Sequence, residues 1–355
     1  MSATPKVAPA DGAALDLSVV IPSHNAHPMV LEAIDSALAQ TLLPAEVVVV
    51  DDGSSDGTSE ALALRYANQP RVRVVRGRFG SAGAARNAGW RSATRPWIAF
   101  LDADDVWFPE KVATAAATLA AFPAAGWFFS DGTFRPMEGE EWRSWLAAYA
   151  DLREPYVGCP VAQLLEVNFV LTSSVVVRRD LLEAVGGFDQ GMSHAEDIDL
   201  WIRLARRIPA AAAARPLVRY QHREGGLSRQ IERRLQGDLE LFGRLARDPE
   251  LAPALRRRAR RREALVHFKL AFGALRAGDR RGVWSRLPAA WMFPDRMVPV
   301  AGLAIANLLP ESVLQRLAER PWMTRVLAGR ALALARVVLR SDPACLAQAR
   351  RSGAP

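Results

Sequence analysis

Short runs of branched apolar residues, spaced by segments of helical periodicity, constrain the fold of this chain most. Leu17–Ile21 (LSVVI) and Glu46–Val50 (EVVVV) have the continuous apolar character of parallel strands buried on both faces. Between them, Met29–Gln40 places Val30, Ile34 and Leu38 on one helical stripe. A second helix is expected after Asp56-Gly57-Thr58, where Asp and Thr offer N-cap chemistry. Val72–Val75 predicts another strand, Ser81–Arg91 a helix of small residues, and Trp97–Leu101 (WIAFL) a further strand. Such alternation predicts an α/β fold with a doubly wound, mostly parallel, Rossmann-like sheet and right-handed crossovers.

Further along, Glu110–Phe122 reads as helix, and Gly126–Ser130 and Ser173–Val177 as strands flanking a Trp-rich, less regular insertion. Arg179–Val185 is a short helix stopped by Gly186-Gly187, and Ala195–Arg207 a longer one with Trp201 in its apolar stripe. Beyond His222 the β signal disappears into Arg/Ala/Leu-rich sequence, and the Ala-rich stretches read as helix-forming. Three parts are expected: a flexible leader over 1–15, an α/β domain over 16–225 and a basic α-helical extension over 226–355.

Charge follows that division. Residues 226–355 hold 25 Lys+Arg against 11 Asp+Glu, whereas residues 1–225 hold 21 against 27. An acidic front joined to a basic tail suits work near an anionic surface. Cys159 and Cys345 match no metal or redox spacing, and both read as reduced thiols. The leader has no apolar signal core, and no run reaches the roughly 18 apolar residues of a spanning helix. A cytoplasmic location is expected, peripheral to the inner face of the membrane if the tail binds lipid.

Open α/β sheets bind ligands beyond the carboxyl ends of their strands. Two acidic segments fall there. Asp51-Asp52-Gly53-Ser54-Ser55-Asp56 follows the VVVV strand and could accept hydrogen bonds from a base edge or ribose hydroxyls, or could be an ordinary Asp/Ser/Gly turn. Asp102-Ala103-Asp104-Asp105 follows WIAFL. In an extended segment Asp102 and Asp104 point the same way, so both can face one Mg²⁺ or Mn²⁺ bound largely through substrate phosphates. The alternative is an acidic turn capping the helix near Pro109. Three acids in four residues repel unless a cation or donors satisfy them, which favours the metal. A third acidic pair, Glu196-Asp197, opens the Trp201 helix and could serve its dipole.

Taken together, VVIPSHN (Val19–Asn25), VVVDDGSSDGT (Val48–Thr58), GSAGAARNAGW (Gly80–Trp90), FLDADDVWFPEK (Phe100–Lys111) and AEDIDLWIRLA (Ala195–Ala205) resemble the family 2 glycosyltransferases. The likeness covers about residues 16–225 in the expected order. It implies a GT-A fold and inverting transfer from a nucleotide-sugar donor, UDP-linked by preference, to a glycan or lipid-linked acceptor. By position, the resemblance implies that Pro22, Asn25 and Asp52 line the nucleoside pocket with Arg86 nearby. Asp102 would approach the ribose and Asp104 bind the metal. Asp197 would be the general base, with Glu196 second, and His222 would lie close to the metal or diphosphate. Where the family commonly has Tyr or Phe before the Asn, this chain has His24.

Competing readings are a non-catalytic nucleotide-sugar-binding protein and a sugar nucleotidyltransferase. The latter needs a glycine-rich basic loop after the first strand, which VVIPSHNAHP lacks. Arg78, Gly80 and Gly83 do not have dinucleotide-fingerprint spacing. In the tail, RRRARRR (Arg256–Arg262) begins a helical stretch ending near Arg276. Such a run is either a solvated helix face or, with Trp284, Trp291 and Trp322, a contact for an anionic membrane surface. No motif for nucleic acid accompanies the charge.

Overall fold

A computed structural model describes residues 15–134, 143–192, 194–221, 231–290, 301, 304–305, 307–308 and 337–341. The first half alternates strand and helix: β1 (Leu17–Ser23), α1 (Met29–Leu38), β2 (Glu46–Asp52), α2 (Thr58–Tyr66), β3 (Val72–Gly77), α3 (Ala82–Ser92), β4 (Trp97–Phe100). Then come β5 (Val106–Trp107), α4 (Lys111–Ala121) and β6 (Trp127–Phe134). The Trp-rich insertion contains β7 (Arg143–Ser144), α5 (Trp145–Tyr149), β8 (Ala150–Leu152), β9 (Tyr156–Gly158) and α6 (Val161–Leu164). A 3₁₀ turn (Thr172–Ser174) precedes β10 (Val176–Arg178), α7 (Arg179–Val185), α8 (Glu196–Ala205) and β11 (Ala210–Tyr220). The C-terminal part supplies α9 (Ile231–Arg247), α10 (Pro253–Arg276), α11 (Arg280–Ala290) and β12 (Val337–Leu339).

The main sheet has the order β3-β2-β1-β4-β10-β6-β11-β5, with β7 and β9 on its edges. It is parallel from β3 to β4 and again between β6 and β11, while β10 runs antiparallel to both β4 and β6. The continuous apolar runs have the expected cause. Along β1, Val20 joins one core and Val19 and Ile21 the other, as the two-residue strand period requires. The first core, with Phe100, Trp127 and Trp201, extends through Leu241, Phe242 and Leu245 of α9 to Ala259 of α10. The second lies beneath α1 and α4. A Cβ on Gly89 would come 2.3 Å from the Val20 side chain, so only glycine lets α3 sit this close to β1.

Ala210–Ala214, for which no element is expected from the sequence, forms the start of β11, paired to β6 and β9. Alanine's helix preference is outweighed because a slot between two strands and two cores admits only small side chains. Two sequence expectations give way. The expected strand Ser173–Val177 begins only at Val176, because Thr172–Ser174 turns instead. A β contribution does occur beyond residue 226, since β12 pairs with β8.

Candidate active site

The strand order reverses at β1, with β2 on one side and β4 on the other, so a crevice opens at their carboxyl ends. On the β1–β2 side the loops are laced together. His24 donates from Nδ1 to the Asp52 carbonyl oxygen at 2.7 Å, which leaves Nε2 to accept from the Asn25 amide at 3.3 Å. Asn25 takes the left-handed conformation (φ 48°), which Asn tolerates better than most residues. Its Oδ1 accepts from the Ser55 N–H at 2.8 Å, and its own N–H donates to Ser54 Oγ at 3.0 Å. The Asp52 carboxylate accepts from the Phe79 and Gly80 amides. Asp51, buried, accepts from the Ser54 amide and Ser59 Oγ, and Asp56 from the Thr58 and His27 amides. Burial opposes their charge, but these donors outweigh it and hold the Asp51 and Asp56 carboxyls below the usual range. Pro22 and Asp52 remain half-exposed and His24 and Asn25 exposed at the crevice rim.

The other side is organised by one arginine. Arg86, whose side chain is 8% exposed, projects from α3. It donates to Asp102 Oδ1 through Nη2 at 2.7 Å and Nε at 3.3 Å, and to Glu196 Oε1 through Nη1 at 3.1 Å. The acidic motif after β4 and the acidic pair opening α8 therefore meet at a single guanidinium. Burial works against Arg86's charge, but Asp102, Glu196 and Asp197 more than compensate and raise its pKa. The contact requires α3 to approach α8 closely at Gly83, where a Cβ would lie 3.2 Å from Glu196 Cγ. Asn87, the next residue, fixes the segment leading to α8 by bonding both the carbonyl and amide of Phe188.

Asp197 stands beside this pair. Its Oδ2 accepts from the Asn168 amide at 3.0 Å and its Oδ1 from the Ile198 N–H at 2.7 Å. Burial pushes the Asp197 carboxyl up, a shift the Ile198 amide, Arg86 and Asn168 oppose and the charge of Asp238 reinforces. Glu196 is also raised, by burial first and then by Asp197, against the pull of Arg86. A carboxylate whose proton affinity is raised but which stays hydrogen-bonded by neutral donors has the character of a general base. Ala195, immediately before the pair, is held at φ 65°, a strained conformation for alanine.

In the β4 turn, burial alternates: Asp102 and Asp104 are half-exposed on one side, and Ala103 and Asp105 are buried. Asp105 accepts from Ser173 Oγ and the Gln221 amide. Burial pushes its carboxyl well up, and Asp104 and Asp102 add to the shift. Among the described residues no group of three or more His, Cys, Asp or Glu is arranged to hold a metal ion. The donor set is two half-exposed carboxylates on one side of a turn, whose charges add to the upward shift that burial gives Asp105. That fits a divalent cation held mainly by substrate oxygens. His222 lies outside the described residues.

Trp201 is fully buried and stacks on Trp127 at 6.0 Å, so it is core. Asp131 accepts from the Leu146 and Gly132 amides and Ser144 Oγ, closing the turn into α5. Two residues that sequence reasoning passed over belong to the site: Asn168, from an irregular segment without motif character, and Ser173, which bonds Asp105 and accepts from the Asp102 amide at 3.0 Å. Among the described residues no helix is long and apolar enough to cross a membrane.

Comparison with known proteins adds the following. Residues 18–186 match the family described as Glycosyl transferase family 2. The chain is 33% identical over 228 residues to the succinoglycan biosynthesis protein ExoO of Rhizobium meliloti (strain 1021), covering 61% of this chain and 63% of that protein. It is 28% identical over 191 residues to an uncharacterized glycosyltransferase of Rickettsia bellii (strain RML369-C), covering 54% of this chain and 27% of the other. The chain thus spans less than two thirds of the length of these relatives. Among solved structures, S. aureus TarS 1–349 in complex with UDP-GlcNAc superposes with a TM-score of 0.59 at 18% identity, over 95% of this chain and 92% of that one. The mannosyltransferase PcManGT from Pyrobaculum calidifontis, in complex with GDP-Man and Mn²⁺, gives 0.57 at 22%, over 93% and 89%. At these identities the structural likeness bears on the fold.

Proposed function

We propose, from the match of residues 18–186 to glycosyl transferase family 2, that the chain is a member of that family and moves a sugar from a nucleoside-diphosphate donor to an acceptor hydroxyl with inversion at the anomeric carbon. Its fold is of the GT-A type. The observation that carries the reading is the Arg86 bridge, which brings the Asp102 turn and the Glu196–Asp197 pair to one crevice beside the β1–β2 loops.

In this reading Pro22, Asn25 and Asp52 frame the nucleoside, with the base over the rim formed by His24 and Asn25. Asp102, oriented by Arg86, faces the ribose. Asp104, with Asp102 beside it, is the residue that would hold Mg²⁺ or Mn²⁺. Such an ion offsets diphosphate charge and so improves the leaving group. Arg86 binds Asp102 and Glu196, and its charge opposes the upward shift of Asp197. As the acceptor oxygen attacks, Asp197 takes its proton, the new glycosidic bond forms and the bond to the diphosphate oxygen breaks. The half-buried setting of Asp197, held by Asn168 and a backbone amide, keeps it hydrogen-bonded without neutralising it.

The related structures hold UDP-GlcNAc and GDP-Man, which supports a nucleotide-sugar donor of the uridine or guanosine series. The relative named for succinoglycan biosynthesis supports a glycan acceptor, free or lipid-linked. Contact between the extension and an anionic membrane rests on the outward arginines of α10 and α11 and on Trp284, 48% exposed.

The deciding experiment incubates the full chain with a panel of UDP- and GDP-sugars, Mg²⁺ or Mn²⁺ and oligosaccharide acceptors. It follows nucleoside diphosphate release and scores donor binding by thermal shift. Asp197→Asn should retain donor binding and lose transfer by about 10²–10⁴-fold. Donor binding with equal turnover in both proteins removes Asp197 as base. Binding without turnover in either points to a nucleotide-sugar-binding protein instead.

A further inference from the structure

The charged residues of α9 and α10 do not all face solvent; several converge behind Asp197. At Gly237 of α9, a Cβ would come 2.6 Å from the His194 carbonyl oxygen, so the helix lies directly against the backbone that leads into Glu196–Asp197. The next residue, Asp238, is 16% exposed. Its charge opposes the ionisation of Asp197, while burial pushes Asp238's own carboxyl up against the pull of Arg262, Arg234 and Lys269.

Arg262 of α10, 9% exposed, reaches two groups at once. Nη1 donates to the Glu166 carbonyl oxygen at 2.7 Å, and Nη2 stands 3.8 Å from Asp238 Oδ2. Arg258 holds the Glu166 carboxylate from outside at 2.8 Å. Two residues on, Asn168 donates to Asp197 Oδ2 at 3.0 Å. One buried arginine of the basic run therefore grips both the segment that orients Asp197 and the acid behind it.

We propose that Asp238 and Arg262 are a positioning pair for Asp197: Arg262 fixes the Glu166–Asn168 segment that orients its carboxylate, and the negative charge of Asp238 strengthens its pull on the acceptor's hydroxyl proton. The inference rests on the reading of Asp197 as base. Neither residue touches the crevice. The charged groups acting on Asp197 include Arg86 from α3, Glu196 from its own helix and Asp238 from α9, and Asp238 is itself faced by Arg234 of α9 and by Arg262 and Lys269 of α10. The arginine alone would make Asp197 a weak base, and the two like charges restore its affinity for a proton.

The test uses the full chain and two readouts. In the first, the acid limb of the kcat profile in Asp238→Asn should move down by roughly half a pH unit to one unit, with donor KM unchanged. Asp238→Glu should restore it. Arg262→Lys, which keeps the charge but cannot span both partners, should lower kcat several-fold and leave the limb in place. A lowered kcat with an unmoved limb in Asp238→Asn overturns the proposal, because it describes a merely structural residue.

The second readout needs no turnover. Thermal unfolding of wild type, Asp197→Asn, Asp238→Asn and the double variant across pH 5–9 should show a repulsive coupling that grows as Asp197 ionises. Additive effects at every pH overturn the proposal whether or not the chain transfers sugar. Coupling without transfer from any donor upholds the pairing and sinks the base reading instead. Should Asp238→Asn fail to fold, Asp238→Glu takes its place in both readouts, with a limb within two tenths of a unit expected and a larger shift overturning the proposal.

Discussion

The turns that follow β2 and β4 stand side by side at the same end of the sheet, and both are rich in aspartate, yet they satisfy their charges in opposite ways. After β2, Asp51, Asp52 and Asp56 accept from backbone amides and hydroxyls of their own and adjoining loops, and among the described residues arginine enters only through the charge of Arg76 on Asp51. After β4, Asp102 depends on a guanidinium from another helix, and burial pushes the Asp105 carboxyl well up. The first turn is complete by itself and offers a shaped rim. The second gathers three carboxylates within four residues, and a cluster of that kind can take a cation or a substrate. Two acidic turns of similar composition thus do different work because their donors differ.

The largest test of this contrast removes the arginine. Arg86→Met should leave Asp102 and Glu196 facing each other without their shared partner and cost about 3–5 kcal/mol, the range for breaking a buried ion pair from one side. Urea unfolding at pH 7 measures it. Because the uncompensated acids can take up protons, the loss should shrink as pH falls toward 4. A cost that stays constant over that range would mean the arginine serves packing against Phe188, where its guanidinium lies 5.3 Å from the ring, rather than charge.

The matching change in the self-contained turn should cost less and fade only at lower pH. Asp51→Asn keeps the shape but weakens the bonds from the Ser54 amide and Ser59 hydroxyl, a loss of about 1–2 kcal/mol at neutral pH. The folded carboxyl titrates below its unfolded value, so the wild-type stabilisation is complete above the unfolded pKa. It disappears as pH falls through the folded one. The difference between wild type and variant should therefore vanish in acid. A difference that persists at pH 2 would break the contrast, because it would show that the turn is held by contacts other than charge-assisted bonds.

Much of this was legible in the sequence, for identifiable reasons. Runs such as VVIP and EVVVV are buried on both faces, so composition alone marks them as central strands. Asp102 and Asp104 share a side because the extended period is two, and burial alternates through Leu101–Asp105 accordingly. What stayed hidden depends on contacts between distant segments. Nothing in GAARNAG distinguishes Arg86 as the residue that two acidic motifs share. Ala210–Ala214 carries a helical propensity that two flanking strands override. The run RRRARRR reads as a solvated face, yet Arg262 turns inward to the Glu166 backbone while Arg257, Arg258, Arg260 and Arg261 stay exposed.

The smallest expected effect concerns how the second acidic group is held in place. Ala195 is kept at φ 65° by its neighbours, on the residue that launches Glu196 and Asp197. A left-handed alanine costs about 1–2 kcal/mol, and glycine avoids that cost while losing more entropy on folding. Ala195→Gly should therefore stabilise the fold by only about 0.5 kcal/mol, read as a small rise in melting temperature. If the strain serves to aim the pair, the same change should lower kcat several-fold with donor KM unmoved, since Asp197 would sample orientations that Asn168 cannot hold alone. A rise in both stability and kcat would show that the strain only burdens the fold. The β4 side would then owe its reactivity to charge alone, as the β2 side owes its rigidity to hydrogen bonds.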